Sequence, residues 1–423
     1  MKIVWLSIHF PSFSRSGGDV ASAKMLRAVA ATGRPVYSVH IDHAPRDEAD
    51  VEAFRAKFGL AGVRFVTTAR RGFVEAWVLR FFLVALLPFL PVSYSRLMWP
   101  AVRRRYRAVL SDIAHASPQT PLLVICDGLQ PCALVRGEGL DPGIRYVYRA
   151  HNVERDLWRS VSRLRGPLAR AFIAYQAWRI ASLERWVLRR FEQVHAISAE
   201  NQAVLQSLCD EPAKVRLTPV ALESPVAPAE LRQARRAAHA GEGAAALRLV
   251  FLGKLDWAPN RDGIAWFLDH VWSALLKARP DARLTIVGMG EEPLKARYAH
   301  LPRLRFTGYA SDADLRGILL SHDLLVVPIF SGSGVRVKVL EAALHGLASI
   351  GTALGMSGSS LEPEVEFIPA DGAAQWIETL ARIGGAECEA FGARAFARVH
   401  GRFSREIVDR AAADALLSLD RPR

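Results

Sequence analysis

Short apolar runs rich in β-branched residues alternate with helical patterns along this chain, and the whole alternation occurs twice. In the first half the runs KIVWLS, VYSVHI, LLVICD, RYVYRAH, QVHAIS and KVRLTPV are separated by stretches such as SAKMLRAVAATG. Runs that are apolar throughout belong to strands covered on both faces, and strands that alternate with helices build a parallel, doubly wound sheet. After Val220 the pattern lapses into ESPVAPAELRQARRAAHAGEGAAA, whose Pro, Ala, Gly and Arg content suits a linker and not a core. The series then begins again with LRLVFLG, IAWFLDHVWSALLKA, RLTIVG, LRFTG, DLLVVP, a helix from about Val335, and LASIG. A chain of 423 residues is comfortable as two domains of about 200 residues each. The expectation is an α/β protein of two doubly wound domains, at 1–222 and 247–400, joined by a linker at 223–246. The last helical stretch, within 401–423, is expected to return to the first domain.

Composition narrows the class of partner. Cys126, Cys132, Cys209 and Cys388 show neither a paired spacing nor a metal-type spacing, so a disulfide framework and a zinc site are both unsupported and the chain reads as cytoplasmic. MKIVWLSIHF is followed at once by Pro11 and SRSGG, which suits a first buried strand better than a secretory signal. Lysine and arginine exceed aspartate and glutamate by 55 to 42, a balance that favours anionic partners such as phosphates or acidic lipids. No zinc-finger, RNP-like or helix-turn-helix pattern accompanies the charge, so nucleic acid is not expected as a partner. Between Arg70 and Arg107 the segment carries eight arginines against the single acid Glu75 and surrounds FFLVALLPFLPV. Arg80, Pro88 and Pro91 interrupt that run below the roughly 20 apolar residues a membrane span needs. Peripheral contact of 70–107 with the inner face of the cytoplasmic membrane, and plain packing inside the first domain, stand as two open readings. A second basic stretch, PLARAFIAYQAWRIASLERWVLRRFEQV, repeats Ile180, Leu183, Val187 and Phe191 at helical spacing, as a core-facing stripe does. Its Trp178, Arg179, Arg185, Trp186, Arg189 and Arg190 suit a solvated face, or one turned to a membrane or acceptor.

Ligands of doubly wound sheets bind at the carboxyl ends of the strands, so the glycine-bearing loops there are the places to search, with a cleft between the two domains as the expected setting. Gly17 and Gly18 follow the first strand and open a helix, where backbone amides can approach a phosphate or sugar; a tight turn explains them equally well. His151, Asn152 and Glu154 crowd the end of the strand RYVYRA, able to bond a substrate hydroxyl or phosphate, although a lone histidine is commonly structural. In FSGSGVRVKVLEAALHG the loop from Ser331 to Gly334 enters a helix bearing Arg336, Lys338 and Glu341. Two cations at such a helix start suit a diphosphate, and a following carboxylate suits the hydroxyls of its ribose. The competing reading is an exposed loop before an amphipathic helix whose core residues are Val339, Leu340 and Leu344.

In order and spacing these signals resemble the retaining glycosyltransferase family 4. The resemblance rests on Gly17-Gly18, HNVE at His151 to Glu154, GKLDWAPNRDG at Gly253 to Gly263, FTGY at Phe306 to Tyr309, and SGSGVRVKVLEAALHG, and it covers nearly the whole chain. It implies a GT-B fold of two Rossmann-like domains, a donor nucleotide-sugar held mainly by the C-terminal domain, a lipid-linked or saccharide acceptor held mainly by the N-terminal one, no metal, no cofactor and retention of configuration. By the same resemblance His151, Arg336 and Lys338 take part in the chemistry. Gly17, Gly18, Asn152, Lys254, Asn260, Gly308, Tyr309, Ser333, Gly334, Val335 and Glu341 bind the donor. Glu341 matches the second acid of the family's paired-glutamate motif, and the first falls at Ser333, a neutral hydroxyl. The implied transfer is front-face, with cations stabilising the departing diphosphate and positioning supplying the rest of the catalysis. Assembly of exopolysaccharide or lipopolysaccharide is the expected pathway. Rivals are a nucleotide-sugar epimerase of the same architecture and a non-catalytic nucleotide-binding or membrane-associated partner protein.

Overall fold

A computed structural model of the chain describes residues 1–8, 10, 17–42, 46–68, 94, 97, 99–116, 118–162, 167–220, 222, 230–239, 246–332 and 334–419. The chain divides into two compact units, one of Met1–Val220 with Val408–Arg423 and one of Ala221–Ile407.

Among the described residues the first unit holds strands β1 (Lys2–Ser7), β2 (Val36–Asp42), β3 (Gly62–Thr67), β4 (Leu122–Asp127), β5 (Ile144–Ala150), β6 (Gln193–Ala196) and β7 (Val215–Leu217). They form one parallel sheet in the order β3-β2-β1-β4-β5-β6-β7. The order reverses between β1 and β4, and both strands are buried at every position, as a central pair covered on both faces must be. The connecting helices are α1 (Gly17–Ala30), α2 (Glu48–Phe58), α3 (Pro100–His115), α4 (Leu129–Glu138), α5 (Glu154–Ser162), α6 (Pro167–Arg190) and α7 (Ala199–Leu208). The stripe Ile180, Leu183, Val187 and Phe191 is buried in the core, as its spacing requires. Arg179 departs from the solvated face expected of it, being fully buried with its guanidinium 4.8 Å from the ring of Tyr175, while Trp178 is exposed and Trp186 packs against the core.

The basic, apolar segment 70–107 lies largely outside the described residues. Of its described part, Tyr94 and Leu97 are buried in the core. Arg103 and Arg107 on α3 both pair with Glu138 at the end of α4.

The second unit repeats the plan with a parallel sheet in the order β10-β9-β8-β11-β12-β13. Its strands are β8 (Arg248–Leu252), β9 (Arg283–Val287), β10 (Leu304–Gly308), β11 (Leu324–Val327), β12 (Ala348–Gly351) and β13 (Ile368–Pro369). The stretch 223–246 is not all linker, because helix α8 (Leu231–His239) forms within it and buries Leu231. After β8 comes α9 (Ala258–Phe267), which runs through a π-helical turn at Leu268–Trp272 into α10 (Ser273–Ala278); the turn faces Leu268, Val271 and Trp272 inward together. Helices α11 (Glu292–Arg297), α12 (Asp312–Ser321), α13 (Val337–Leu344), α14 (Ala373–Arg382) and α15 (Gly385–Phe403) complete the layers.

Helix α8 has a physical reason to dock. Arg235 donates to the carbonyls of Leu319 and His345 at 3.1 Å and of His322 at 2.8 Å, the terminal carbonyls of α12 and α13. A cation there meets the negative ends of two helix dipoles and satisfies carbonyls that no helical amide reaches. The last helix, α16 (Arg405–Leu417), runs into the residues from Val408 that belong to the first unit. Just beyond it Leu419 O accepts from Arg145, and Ser418 Oγ accepts from Gln193 at 2.6 Å.

Candidate functional site

In each unit the candidate residues gather where the strand order reverses, because loops leaving neighbouring strands there diverge and open a crevice at the carboxyl ends. The second unit brings together most of those singled out in the sequence. The loop after β8 carries Gly253 and Lys254 into α9, and the loop after β11 carries Gly332, Gly334 and Val335 into α13. The two are closely packed: a Cβ on Gly263 of α9 would stand 1.9 Å from the carbonyl oxygen of Pro328. Gly332 and Gly334 have φ of 98° and 90°, a left-handed backbone that a residue with a side chain adopts only under strain. Ser333 between them lies outside the described residues.

Lys338, in the first turn of α13, turns back into this crevice. Its Nζ donates to Asn260 Oδ1 at 2.8 Å and stands 4.6 Å from the centre of the Phe251 ring, while Asn260 Nδ2 donates to the carbonyl of Lys254 at 3.0 Å. Asn260 thereby ties the β8 loop to α13. Loss of water pushes the Lys338 amine down to about 7, and the neighbouring charge of Arg336 pushes the same way. Arg336, the residue before α13, is lowered to about 10 by burial. Glu341 lies one turn beyond Lys338, half-buried, and its carbonyl meets His345 Nδ1 at 2.7 Å.

Two other cations of this region are engaged at the surface, Lys254 with Asp256 at 3.1 Å and Arg261 with Asp262 at 3.0 Å. Gly308 and exposed Tyr309 end β10, two strands from β8, and belong to the same carboxyl-end surface. Gly253 N–H bonds Val287 O and Gly288 N–H bonds Gly308 O, each at 2.9 Å, which laces the three loops together.

The first unit assembles a different group. His151, one residue past β5, places Nε2 2.6 Å from Asp127 Oδ1, the last residue of β4, and Arg149 Nη1 donates to the same oxygen at 2.7 Å. A carboxylate only accepts, so His151 Nε2 carries the proton, and the 2.9 Å approach of Arg149 Nη1 to Nε2 is a contact rather than a hydrogen bond. Nδ1 is left without a protein partner among the described residues. Burial opposes charge on Asp127, yet His151, Arg149 and a hydrogen bond with Ser22 outweigh it and hold its carboxyl well below the usual range. Arg149 Nη2 also donates to Ala21 O at 3.3 Å. Helix α1, which opens at Gly17 and Gly18, is thus docked on this trio by its second turn.

Asn152 bonds Glu154, whose carboxyl is raised because burial exceeds the help of His151 and Asn152. Glu184 accepts the Glu154 N–H at 3.0 Å and is pushed up to about 7 by burial. Asp127 escaped the sequence reading; its signal was an acid closing an otherwise apolar central strand, LLVICD. Among the described residues no group of three or more His, Cys, Asp or Glu is placed to hold a metal ion, and no helix is long and apolar enough to cross a membrane.

Comparison with known proteins bears on the second unit first. Residues 246–383 match the family model described as glycosyl transferases group 1. A curated protein of Klebsiella pneumoniae, an uncharacterized 44.6 kDa protein in the cps region, is 28% identical over 117 residues, 26% of this chain and 30% of that protein. The match therefore spans less than a third of the relative's length.

Over the whole chain, solved structures are similar in fold. Anabaena HepE in complex with UDP-glucose has a TM-score of 0.62 at 16% identity, covering 99% of this chain and 100% of that one. Sucrose-phosphate synthase of Thermosynechococcus elongatus has 0.71 at 18%, covering 99% of each. WaaG, a glycosyltransferase involved in lipopolysaccharide biosynthesis, has 0.61 at 16%, covering 98% and 99%. The architecture is the GT-B fold of two Rossmann-like units, and the match to the group 1 glycosyl transferase model lies within the second unit.

Proposed function

We propose that this chain is a retaining glycosyltransferase that needs no metal and moves a sugar from a nucleoside-diphosphate sugar to a saccharide or lipid-linked acceptor. The observation that carries the proposal is the pair of cations, Arg336 and Lys338, drawn into the switch-point crevice of a Rossmann-like sheet with a glycine loop before them. Cations lowered by loss of water and close to one another are suited to a diphosphate, whose negative charge favours their protonated forms. In this reading Glu341 takes the ribose hydroxyls, the loop at Gly308 and Tyr309 takes the base, and Lys254, Asn260, Ser333, Gly334 and Val335 complete the donor site. His151 in the first unit, oriented by Asp127, offers Nδ1 to a sugar or acceptor hydroxyl, and Gly17, Gly18 and Asn152 add donor contacts in this reading.

The chemistry follows from charge development. As the glycosidic bond to the leaving phosphate breaks, negative charge grows on that oxygen, and Arg336 and Lys338 stabilise it without reorganising. The acceptor hydroxyl attacks the same face and gives its proton to the departing phosphate, so no protein nucleophile is required. HepE binds UDP and UDP-glucose, which supports a nucleotide-sugar donor here. WaaG, involved in lipopolysaccharide biosynthesis, supports a place in cell-surface polysaccharide or glycolipid assembly, and the proposed setting is the cytoplasmic face of the membrane.

The test is thermal unfolding against a panel of nucleoside diphosphates and nucleotide-sugars, on wild type and Glu341→Ala. A ligand at 100 times its Kd adds about 2.7 kcal/mol to native stability. One nucleotide should raise the wild-type midpoint by several degrees and leave Glu341→Ala unmoved. A panel in which nothing shifts the wild type would remove the donor reading.

A further inference from the structure

The outer strands of the second sheet carry a polar face that the donor site leaves unused. Strands of a parallel sheet are ordinarily apolar on both sides. On β9 and β10 only one side obeys: Leu284, Ile286, Leu304 and Phe306 join the core, while the alternate residues Arg283, Thr285, Arg305 and Thr307 line an open groove of about 740 Å³. The register pairs Thr285 with Arg305 and sets Arg283 beside Arg303, each just before the paired Leu284 and Leu304. Arg303, just before β10, and Arg305 on it are both exposed and add positive charge to the same groove, which favours an anion there.

Four arginines line the groove against one acid, Asp314, and Arg248 pairs with Asp323 at 3.1 Å. Helix α12 forms the far wall, where His322 Nε2 lies 2.9 Å from Thr285 Oγ1. The carboxyl end is closed by Tyr309, whose side chain is 54% exposed and is the one feature shared with the donor loops.

We propose that this groove binds an acidic saccharide chain, one bearing carboxylate or phosphate groups. Guanidinium forks match planar carboxylates and phosphates in two-point contacts. The Thr307 hydroxyl, which donates to the backbone carbonyls of Ile286 and Gly308, can accept from a sugar hydroxyl, and the exposed Tyr309 ring offers a flat apolar face to a pyranose. The groove is open, which suits a chain continuing past it. A single aromatic residue is a poor platform for successive bases, which disfavours single-stranded nucleic acid. The choice of a saccharide among polyanions rests on the glycosyltransferase reading above; the groove and its charge do not. Part of the chain's excess of positive charge thereby acquires a place and a use.

The experiment is calorimetric titration of the full chain and of the double variant Arg283→Gln/Arg305→Gln with a short oligogalacturonate. A neutral maltooligosaccharide of equal length, inorganic phosphate and a single-stranded oligonucleotide are titrated alongside. Wild type should bind the oligogalacturonate, more weakly as salt rises, and the double variant should bind it about tenfold or more weakly. The unfolding midpoint and the shift given by nucleoside diphosphate should be the same in both proteins, since both arginines are exposed and away from the donor loops. The proposal is overturned by any of four results: no binding by wild type, equal binding by the variant, equal affinity for the neutral chain, or tighter binding of the oligonucleotide. Phosphate alone displacing the chain at equal concentration also overturns it, as an ion site only. A missing nucleotide shift in both proteins, with the saccharide result intact, indicts the donor reading instead.

Discussion

Replacing Lys338 by methionine should make the second unit less sensitive to pH while abolishing its affinity for a nucleoside diphosphate. Burial against the Phe251 ring, with the cation Arg336 nearby, lowers the amine from an ordinary 10.5 to about 7, and Asn260 Oδ1 accepts its hydrogen bond. The folded state thus sheds a proton that the unfolded state keeps throughout the window between those values. Stability therefore rises with pH from about 7 toward 10.5 and is insensitive to this group below 7, where both states are protonated. The fall from 10.5 to about 7 corresponds to an upper bound of about 5 kcal/mol, at roughly 1.4 kcal/mol for each pH unit. Between pH 7 and pH 9 the wild type should gain up to about 2.7 kcal/mol from this group, some 5 to 10 °C in the midpoint of a unit of this size. Lys338→Met should lack that slope, at a cost of about 1–3 kcal/mol for the Asn260 oxygen left without its donor.

Ligand binding gives the matching signature. A diphosphate beside Lys338 favours the charged amine, so binding should take up a proton above pH 7, and affinity should fall as pH rises by as much as tenfold per unit. Calorimetry in two buffers of different ionisation enthalpy reads the proton directly, and scanning calorimetry at pH 7, 8 and 9 reads the slope. Identical pH profiles in wild type and Lys338→Met, or binding with no proton uptake at pH 8.5, would refute the reasoning.

Two further substitutions test the supports of the sites. Gly263→Ala places a methyl group 1.9 Å from Pro328 O, so α9 or the β11 loop must move; destabilisation of about 1–3 kcal/mol or more is expected by chemical denaturation, together with weaker nucleotide binding as Asn260 is displaced. Asp127→Asn leaves the buried Arg149 without its counter-charge and lets His151 take the other tautomer. It should destabilise the first unit by about 3–5 kcal/mol and lower kcat more than KM, and the acid limb of stability should move. In the wild type the Asp127 contribution is present above the ordinary carboxylate range and is lost as pH falls toward its depressed folded value, whereas the variant should lack that loss.

Most of the fold was legible in the sequence because its signal is short-range. Largely apolar runs such as KIVWLS and LLVICD read as central strands, and the helices between them make the sheets parallel. The strands that escaped reading carry weaker local signals: β3 contains Arg64 and begins at Gly62, and β13 is the two residues Ile368 and Pro369. Helix α8 was read as linker for a related reason. Its apolar content is low, and what anchors it is a guanidinium on the carbonyl ends of two helices far away in sequence, which no hydropathy pattern records.

The sites divide along the same line. That catalytic or binding groups stand at strand ends follows from winding direction alone, since right-handed crossovers on either side of β8 and β11, or of β1 and β4, must leave a crevice where the order reverses. Which groups meet there depends on contacts across the sequence: His151 finds Asp127 at a separation of 24 residues, and Lys338 finds Asn260 at 78. A histidine in HNVE and a lysine in KVLEA are visible as candidates in the sequence, but the tautomer of the one and the lowered charge of the other are set by those distant partners. The sequence therefore locates the chemistry to within a loop, and the packing of neighbouring strand ends decides what protonation state that loop presents to a ligand.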